Sequence, residues 1–255
     1  AKFIIRGPSS LSGKIKIAGN KNSVLPIMAA SLLAKDVSTI ENVPKISDVD
    51  VMTDLLKLCG AHVTRKDDSK IIIDATNIKK TEFPAHLTEK LRASVMLLGP
   101  LVARVGYIKM GYPGGDIIGR RPLDTHFQVL EALGAKIKKE NGFFEVSANG
   151  LKGAEIFLQE ASVTATENAL IAACAAKGKT IIKRAASEPH VVDLCHFLIK
   201  MGAEIEGIGS NILKIKGSEN LYGASHSVRP DHIEIGTFAI LAAVTKSKLE
   251  ISPII

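Results

Sequence analysis

The residues best equipped for chemistry gather in one stretch, Gly111-Tyr112-Pro113-Gly114-Gly115-Asp116-Ile117-Ile118-Gly119-Arg120-Arg121-Pro122-Leu123-Asp124. Its four glycines permit tight turns and close approach of backbone to a ligand. Adjacent arginines grip a carboxylate or phosphate through forked hydrogen bonds, and Asp116 adds a carboxyl able to give or take a proton. The plain structural alternative is a mobile surface hairpin. Long loops on rigid scaffolds carry function more often, which favours the chemical reading.

A second signal is cationic. Lys21 with Asn22 stands before one strongly apolar segment, and Lys90 with Arg92 before another. A positive side chain at a helix N-terminus opposes the helix dipole unless an anion sits there, so both positions point to a site for phosphorylated or carboxylated ligands. The corresponding third place holds Ser162-Val163-Thr164-Ala165-Thr166, where Ser162 serves equally as a helix cap or a ligand contact.

The elements positioning these groups repeat. Leu55 to Val63, Val129 to Ile137 and Phe197 to Ile205 each read as a helix end, a Gly-Ala pair and the start of a strand, with Gly60, Gly134 and Gly202 about seventy residues apart. Each unit also has an earlier helix that is apolar nearly all round, over Ser23 to Ala34, Arg92 to Val105 and Thr166 to Lys177, and therefore buried. Two alternating runs follow each Gly-Ala, such as Lys136 to Lys139 and Phe143 to Ser147 around Asn141-Gly142, which predicts a hairpin. The unit is thus strand, buried helix, strand, amphipathic helix, hairpin, an α/β pattern in which sheets cover a cluster of helices. A fourth unit is expected to open at Leu221-Tyr222-Gly223-Ala224, with a helix from Glu234 to Lys246, and the unfinished copy predicts a longer protein with about 160 further residues.

Composition narrows the class. With 46% hydrophobic and 23% charged residues the chain has the makings of a packed globular protein. No apolar run reaches bilayer length, and the scattered Cys59, Cys174 and Cys195 lack metal-ligand spacing and suit a reducing compartment, so the expected location is cytoplasmic. A net charge of +7 is spread along the chain, and with 4% aromatics and no Trp a nucleic-acid platform is disfavoured.

Taken together, Gly19 to Pro26, Leu91 to Ser94, Pro113-Gly114-Gly115, Gly119 to His126 and Arg229 to Glu234 resemble the enolpyruvyl transferases, in motif order from Phe3 to the end. Within that family the branch acting on UDP-N-acetylglucosamine fits better than the one acting on shikimate 3-phosphate, because of Asn22 and Arg121 to Thr125. The resemblance implies repeated βαβαββ units in an inside-out α/β barrel with buried helices and outer sheets. One domain would run over 20–229, and a truncated second one over 1–19 and 230–255. It implies transfer of the enolpyruvyl group of phosphoenolpyruvate to the sugar 3-hydroxyl with release of phosphate, the first committed step of peptidoglycan synthesis, with no cofactor, metal, nucleic acid or membrane. The fragment alone would be inactive, its general base lying beyond the last residue.

By the same resemblance Lys21 and Asn22 meet phosphoenolpyruvate and sugar, Arg92 lines the cleft, Arg121, Pro122, Leu123, Asp124 and Thr125 hold the nucleotide and its phosphates, and Ser162 and Val163 give a second contact to them. Lys21, Arg121 and Asp116 would be catalytic. Asp116 takes the place of a proton-donating cysteine, which implies insensitivity to fosfomycin, the drug that alkylates that cysteine. The missing cysteine also motivates an alternative, a catalytically silent paralogue that binds nucleotide sugar. Glu160 and Thr164 stand where some relatives have lysine and glycine.

Overall fold

Local chemistry starts each buried helix. Asn20 caps the first: its Oδ1 accepts from the backbone N–H of Asn22 at 2.7 Å and of Ser23 at 3.2 Å, so the helix begins at Lys21, earlier than the apolar pattern alone suggests. Ser162 caps the helix that starts at Val163, accepting from the N–H of Ala165 at 3.4 Å. The expected helix from Arg92 to Val105 divides into a 3-10 stretch over Arg92–Leu97 and an α-helix over Leu98–Val105. Pro100 has no N–H to bond the carbonyl of Met96, and the N–H of Gly99 turns away to Asn168 Oδ1 at 2.8 Å.

The computed structural model describes residues 2–7, 10–115, 119 and 121–253. In chain order the first elements are β1 (Ser12–Ile17), α1 (Lys21–Ala30) with a 3-10 turn at Ser31–Leu33, β2 (Val37–Glu41), α2 (Ser47–Cys59), β3 (His62–Asp67) and β4 (Lys70–Asp74). Next come β5 (Glu82–Phe83), α3 (Ala85–Thr88), the Arg92 3-10 stretch, α4 (Leu98–Val105), β6 (Tyr107–Gly111), α5 (Asp124–Ala132), β7 (Lys136–Glu140) and β8 (Phe143–Ser147). The remainder is β9 (Glu155–Phe157), α6 (Val163–Cys174), β10 (Lys179–Lys183), α7 (Pro189–Lys200), β11 (Glu204–Glu206), β12 (Ile212–Lys216), β13 (Ser225–Ser227), α8 (His232–Val244) and β14 (Lys248–Pro253).

Three four-stranded sheets share one plan, in the orders β13-β2-β4-β3, β5-β6-β8-β7 and β9-β10-β12-β11. In each, the opening strand runs parallel to the next, and the hairpin completes the sheet antiparallel. The repeat extends to single bonds: the N–H groups of Thr39, Lys109 and Ile181 donate to the carbonyls of Ala224, Thr81 and Ala154, each at 2.9 Å. Gly60, Gly134 and Gly202 close their helices at φ of 107°, 98° and 101°, as the Gly-Ala pattern requires. The apolar faces of the three sheets join one core with α1, α4 and α6, of which α1 and α6 are almost wholly buried and α4 is buried from Leu98 to Val102, so helices lie inside and sheets outside. Among the described residues the sheets stay separate, and helix packing rather than strand pairing joins them.

One expectation needs correction. The strand after Leu221 to Ala224 completes the first unit, because β13 pairs with β2. The motif echo was real at the level of packing. A Cβ on Gly223 would lie 2.0 Å from the Val37 carbonyl oxygen, and one on Gly153 would lie 2.2 Å from that of Lys179, so both parallel strand pairs demand glycine there. The strand that opens the unit containing α8 is instead β1, which pairs in parallel with β14, Ser12 opposite Lys248. The chain passes between these parts twice, side by side, where the N–H of Asn20 donates to the carbonyl of Arg229 at 2.9 Å. Apolar α8 has no buried side chain. Among the described residues no helix is long and apolar enough to cross a membrane.

Candidate active site

The N-terminal ends of α1, the Arg92 3-10 stretch and α6 converge on a cavity of about 280 Å³, whose wall includes Asn22, Pro26, Met96, Arg121, Val163, Thr164, Glu167, Glu188 and His190. Unpaired N–H groups and aligned peptide dipoles make this end electropositive. Pro26, which has no N–H for the carbonyl of Asn22, removes one bond from the helix ladder and leaves that carbonyl as an acceptor beside the donors. A larger groove of about 560 Å³ lies at the opposite end, against Leu33, Arg104 and Ala175. There the same helices present carbonyl ends, and Arg104 donates to the carbonyls of Leu32 at 2.7 Å and Ala34 at 2.9 Å. That arginine completes a helix terminus and leaves little for an anion.

Of the residues singled out in the sequence, Asn22, Arg121 and Val163 line the cavity. Arg92 stands beside them, its Nη2 donating to the carbonyl of Pro122 at 3.3 Å. Burial chiefly, and the neighbouring Arg121 cation second, hold its guanidinium below the ordinary arginine range. Lys21 sits at the rim, half exposed and 3.2 Å from Asp48 Oδ2. Its charge is therefore partly balanced within the protein, and the argument from an uncompensated cation at a helix N-terminus applies more strongly to Arg92.

The stretch after Arg121 turns away from the cavity. Leu123 is buried, Asp124 begins α5 with its carboxylate 3.8 Å from Lys139, and Thr125 Oγ1 donates to Glu160 Oε1 at 3.4 Å. Ser162 acts as a helix cap through its oxygen, and its O–H remains available as a donor. Asp116, with Ile117, Ile118 and Arg120, lies outside the described residues. The loop leading to it is anchored: the N–H groups of Gly114 and Gly115 donate to the carbonyls of Thr88 at 3.2 Å and Glu89 at 3.0 Å, so this part is not a free hairpin.

Beneath the cavity is a polar network invisible in the sequence. Asn168, fully buried on α6, donates from Nδ2 to the Val95 carbonyl and to His126 Nδ1, both at 3.0 Å, and accepts from Gly99. With Nδ1 an acceptor, His126 carries its proton on Nε2, 3.1 Å from Thr164 Oγ1. Burial, aided by Arg92, pushes the imidazole pKa down to about 3. Among the described residues no cluster of histidine, cysteine and carboxylate side chains is arranged to hold a metal ion.

Residues 5–254 match the family model described as EPSP synthase (3-phosphoshikimate 1-carboxyvinyltransferase). The chain belongs to the EPSP synthase family. Relatives within it include the UDP-N-acetylglucosamine 1-carboxyvinyltransferases of Treponema denticola, 46% identical over 99% of this chain and 59% of that protein, and of Bradyrhizobium diazoefficiens, 48% identical over 98% and 58%. The chain thus spans about six-tenths of the length of these curated relatives. Among solved structures, the enolpyruvyl transferase NikO of Streptomyces tendae superposes with a TM-score of 0.80 at 26% identity, over 92% of this chain and 55% of that one. EPSP synthase from Acinetobacter baumannii, at 19% identity, shares the fold with a TM-score of 0.76 over 96% and 56%.

Sequence reading missed Glu167, Glu188 and His190 in this member of the EPSP synthase family. One signal was available for Glu167. A carboxyl inside a helix that is apolar on every side is costly to bury and calls for a reason.

Proposed function

We propose that the protein to which this chain belongs transfers the enolpyruvyl group of phosphoenolpyruvate to the 3-hydroxyl of UDP-N-acetylglucosamine, releasing phosphate, as the first committed step of peptidoglycan synthesis in the cytoplasm. The observation that carries this reading is the gathering of Asn22, Arg121 and two capped helix N-termini on one cavity, with Arg92 and Lys21 at its margin. Relatives that share 46–48% of the sequence over nearly the whole chain are named for this reaction. We assign 20–229 to one lobe and 1–19 with 230–255 to the other, the ligands lying between.

In the addition step the sugar oxygen attacks C2 of phosphoenolpyruvate while the methylene carbon takes a proton from the Asp116 carboxyl. A base from the remaining part of the protein accepts the hydroxyl proton. Arg92, Arg121 and Lys21 hold the phosphate and carboxylate whose charge the intermediate retains. Loss of phosphate with return of a methyl proton restores the vinyl ether. Arg121 and Val163 on the cavity wall would bear the nucleotide, with Pro122 to Thr125 and Ser162 flanking them outside that wall. Calorimetry on the full-length protein tests this: UDP-N-acetylglucosamine should bind and shikimate 3-phosphate should not, and the reverse would assign the sister activity.

A further inference from the structure

Two polar side chains on the cavity wall have no hydrogen-bond partner among the described residues. Glu167 is 1% exposed and its Oε1 makes no hydrogen bond, while His190 is 6% exposed and neither ring nitrogen is bonded. Both border the same cavity as Asn22 and Arg121. An orphaned buried polar group is destabilising, so a pair of them facing one space is retained only where something else supplies the missing bonds.

We propose that Glu167 and His190, with Glu188 at the mouth, form a subsite that recognises the hydroxyl groups of a neutral ring in the acceptor substrate. This deepens the acceptor reading and rests on it. The charge balance selects that ligand chemistry. Burial first, and the Glu188 carboxylate second, raise the Glu167 carboxyl well above its usual range, so it stands as a neutral acid with one donor and one acceptor. Burial likewise lowers His190, leaving a neutral imidazole with one of each. The ring stacks on His232 with centroids 6.0 Å apart and planes 14° apart, which fixes its orientation. Among the other titratable neighbours, the Cys195 thiol on α7 is pushed up to about 12 by burial and by Glu167 and stays neutral, while Asp193 and Asp231 beside His190 add carboxylates to this side. A wall of neutral donors and acceptors beside carboxylates repels phosphate and suits hydroxyls, while Arg121 on the same cavity and Arg92 beside it supply the cations.

The test uses full-length protein and infrared difference spectra against Glu167→Val. A protonated-carboxyl band at neutral pH, missing in the variant, is expected to shift when UDP-N-acetylglucosamine saturates the site. In calorimetry Glu167→Val should weaken that ligand tenfold or more, with Glu167→Gln recovering part of the loss. No band, or a band that neither UDP-N-acetylglucosamine nor shikimate 3-phosphate moves, overturns the subsite, since ordered water would then be the partner. A band moved by shikimate 3-phosphate alone sinks the choice of nucleotide sugar and leaves the subsite standing.

Discussion

Asn168 Nδ2 donates to His126 Nδ1 across 3.0 Å, and this bond ties the second unit's amphipathic helix α5 to the third unit's buried helix α6. The same amide side chain holds the Val95 carbonyl and the Gly99 N–H where the 3-10 stretch becomes α4. Replacing Asn168 by Ala orphans three buried groups at once. We expect a loss of about 3 kcal/mol or more in urea unfolding, well above the ordinary core truncation to Ala of a residue this size.

His126 gives that network a pH dependence. Its folded pKa of about 3 lies below the unfolded value of about 6.5, so the unfolded chain binds the proton first as pH falls. Stability from this group is complete above pH ~6.5 and declines by about 1.4 kcal/mol per pH unit down to pH ~3. His126→Gln should flatten this decline in unfolding midpoints taken between pH 7 and pH 4; an unchanged slope would refute the assignment.

The loop carrying Asp116 is held at its base by close packing. A Cβ on Gly114 would fall 2.0 Å from the carbonyl oxygen of Glu89, and backbone cannot move aside as a flexible side chain does. Gly114→Ala should therefore displace the loop and cut kcat/KM of the full-length enzyme tenfold or more, while the thermal midpoint drops only a few degrees, since the shift is confined to a surface segment.

Much of this was legible beforehand, and the parts that were not share a cause. The left-handed glycines at Gly60, Gly134 and Gly202, the hairpins and the buried helices follow from local steric rules and from periodicity within a short window. What escaped was long-range. Nothing within Leu221 to Ala224 tells whether the following strand pairs with β2 or starts a new sheet, because either partner needs the same close-approach glycine. The pairing of Lys21 with Asp48 and the solitude of Glu167 likewise depend on which helices meet. Of the candidate residues, Asn22, Arg121 and Val163 were readable from type and order, whereas Glu167 and His190 on the same cavity were not.

Lys21 offers a test that separates binding from folding. Its ion pair with Asp48 is half exposed and so contributes at most about 1 kcal/mol to stability. Lys21→Ala should leave the unfolding midpoint nearly unchanged yet weaken phosphoenolpyruvate binding about tenfold or more, as loss of a charge-assisted bond to phosphate does. Equal affinity in the variant would remove Lys21 from the site.

Asp116 carries the sharpest chemical forecast. A carboxyl is a poor nucleophile toward an epoxide beside a thiolate, so fosfomycin should leave the full-length wild type unlabelled in intact-mass spectra, whereas Asp116→Cys should gain one adduct. Asp116→Ala should abolish phosphate release while retaining nucleotide-sugar binding, because it removes the proton source and none of the cations. Turnover by Asp116→Ala at the wild-type rate would move the general acid elsewhere. A wild type that binds the nucleotide sugar and never releases phosphate would instead mark a silent paralogue.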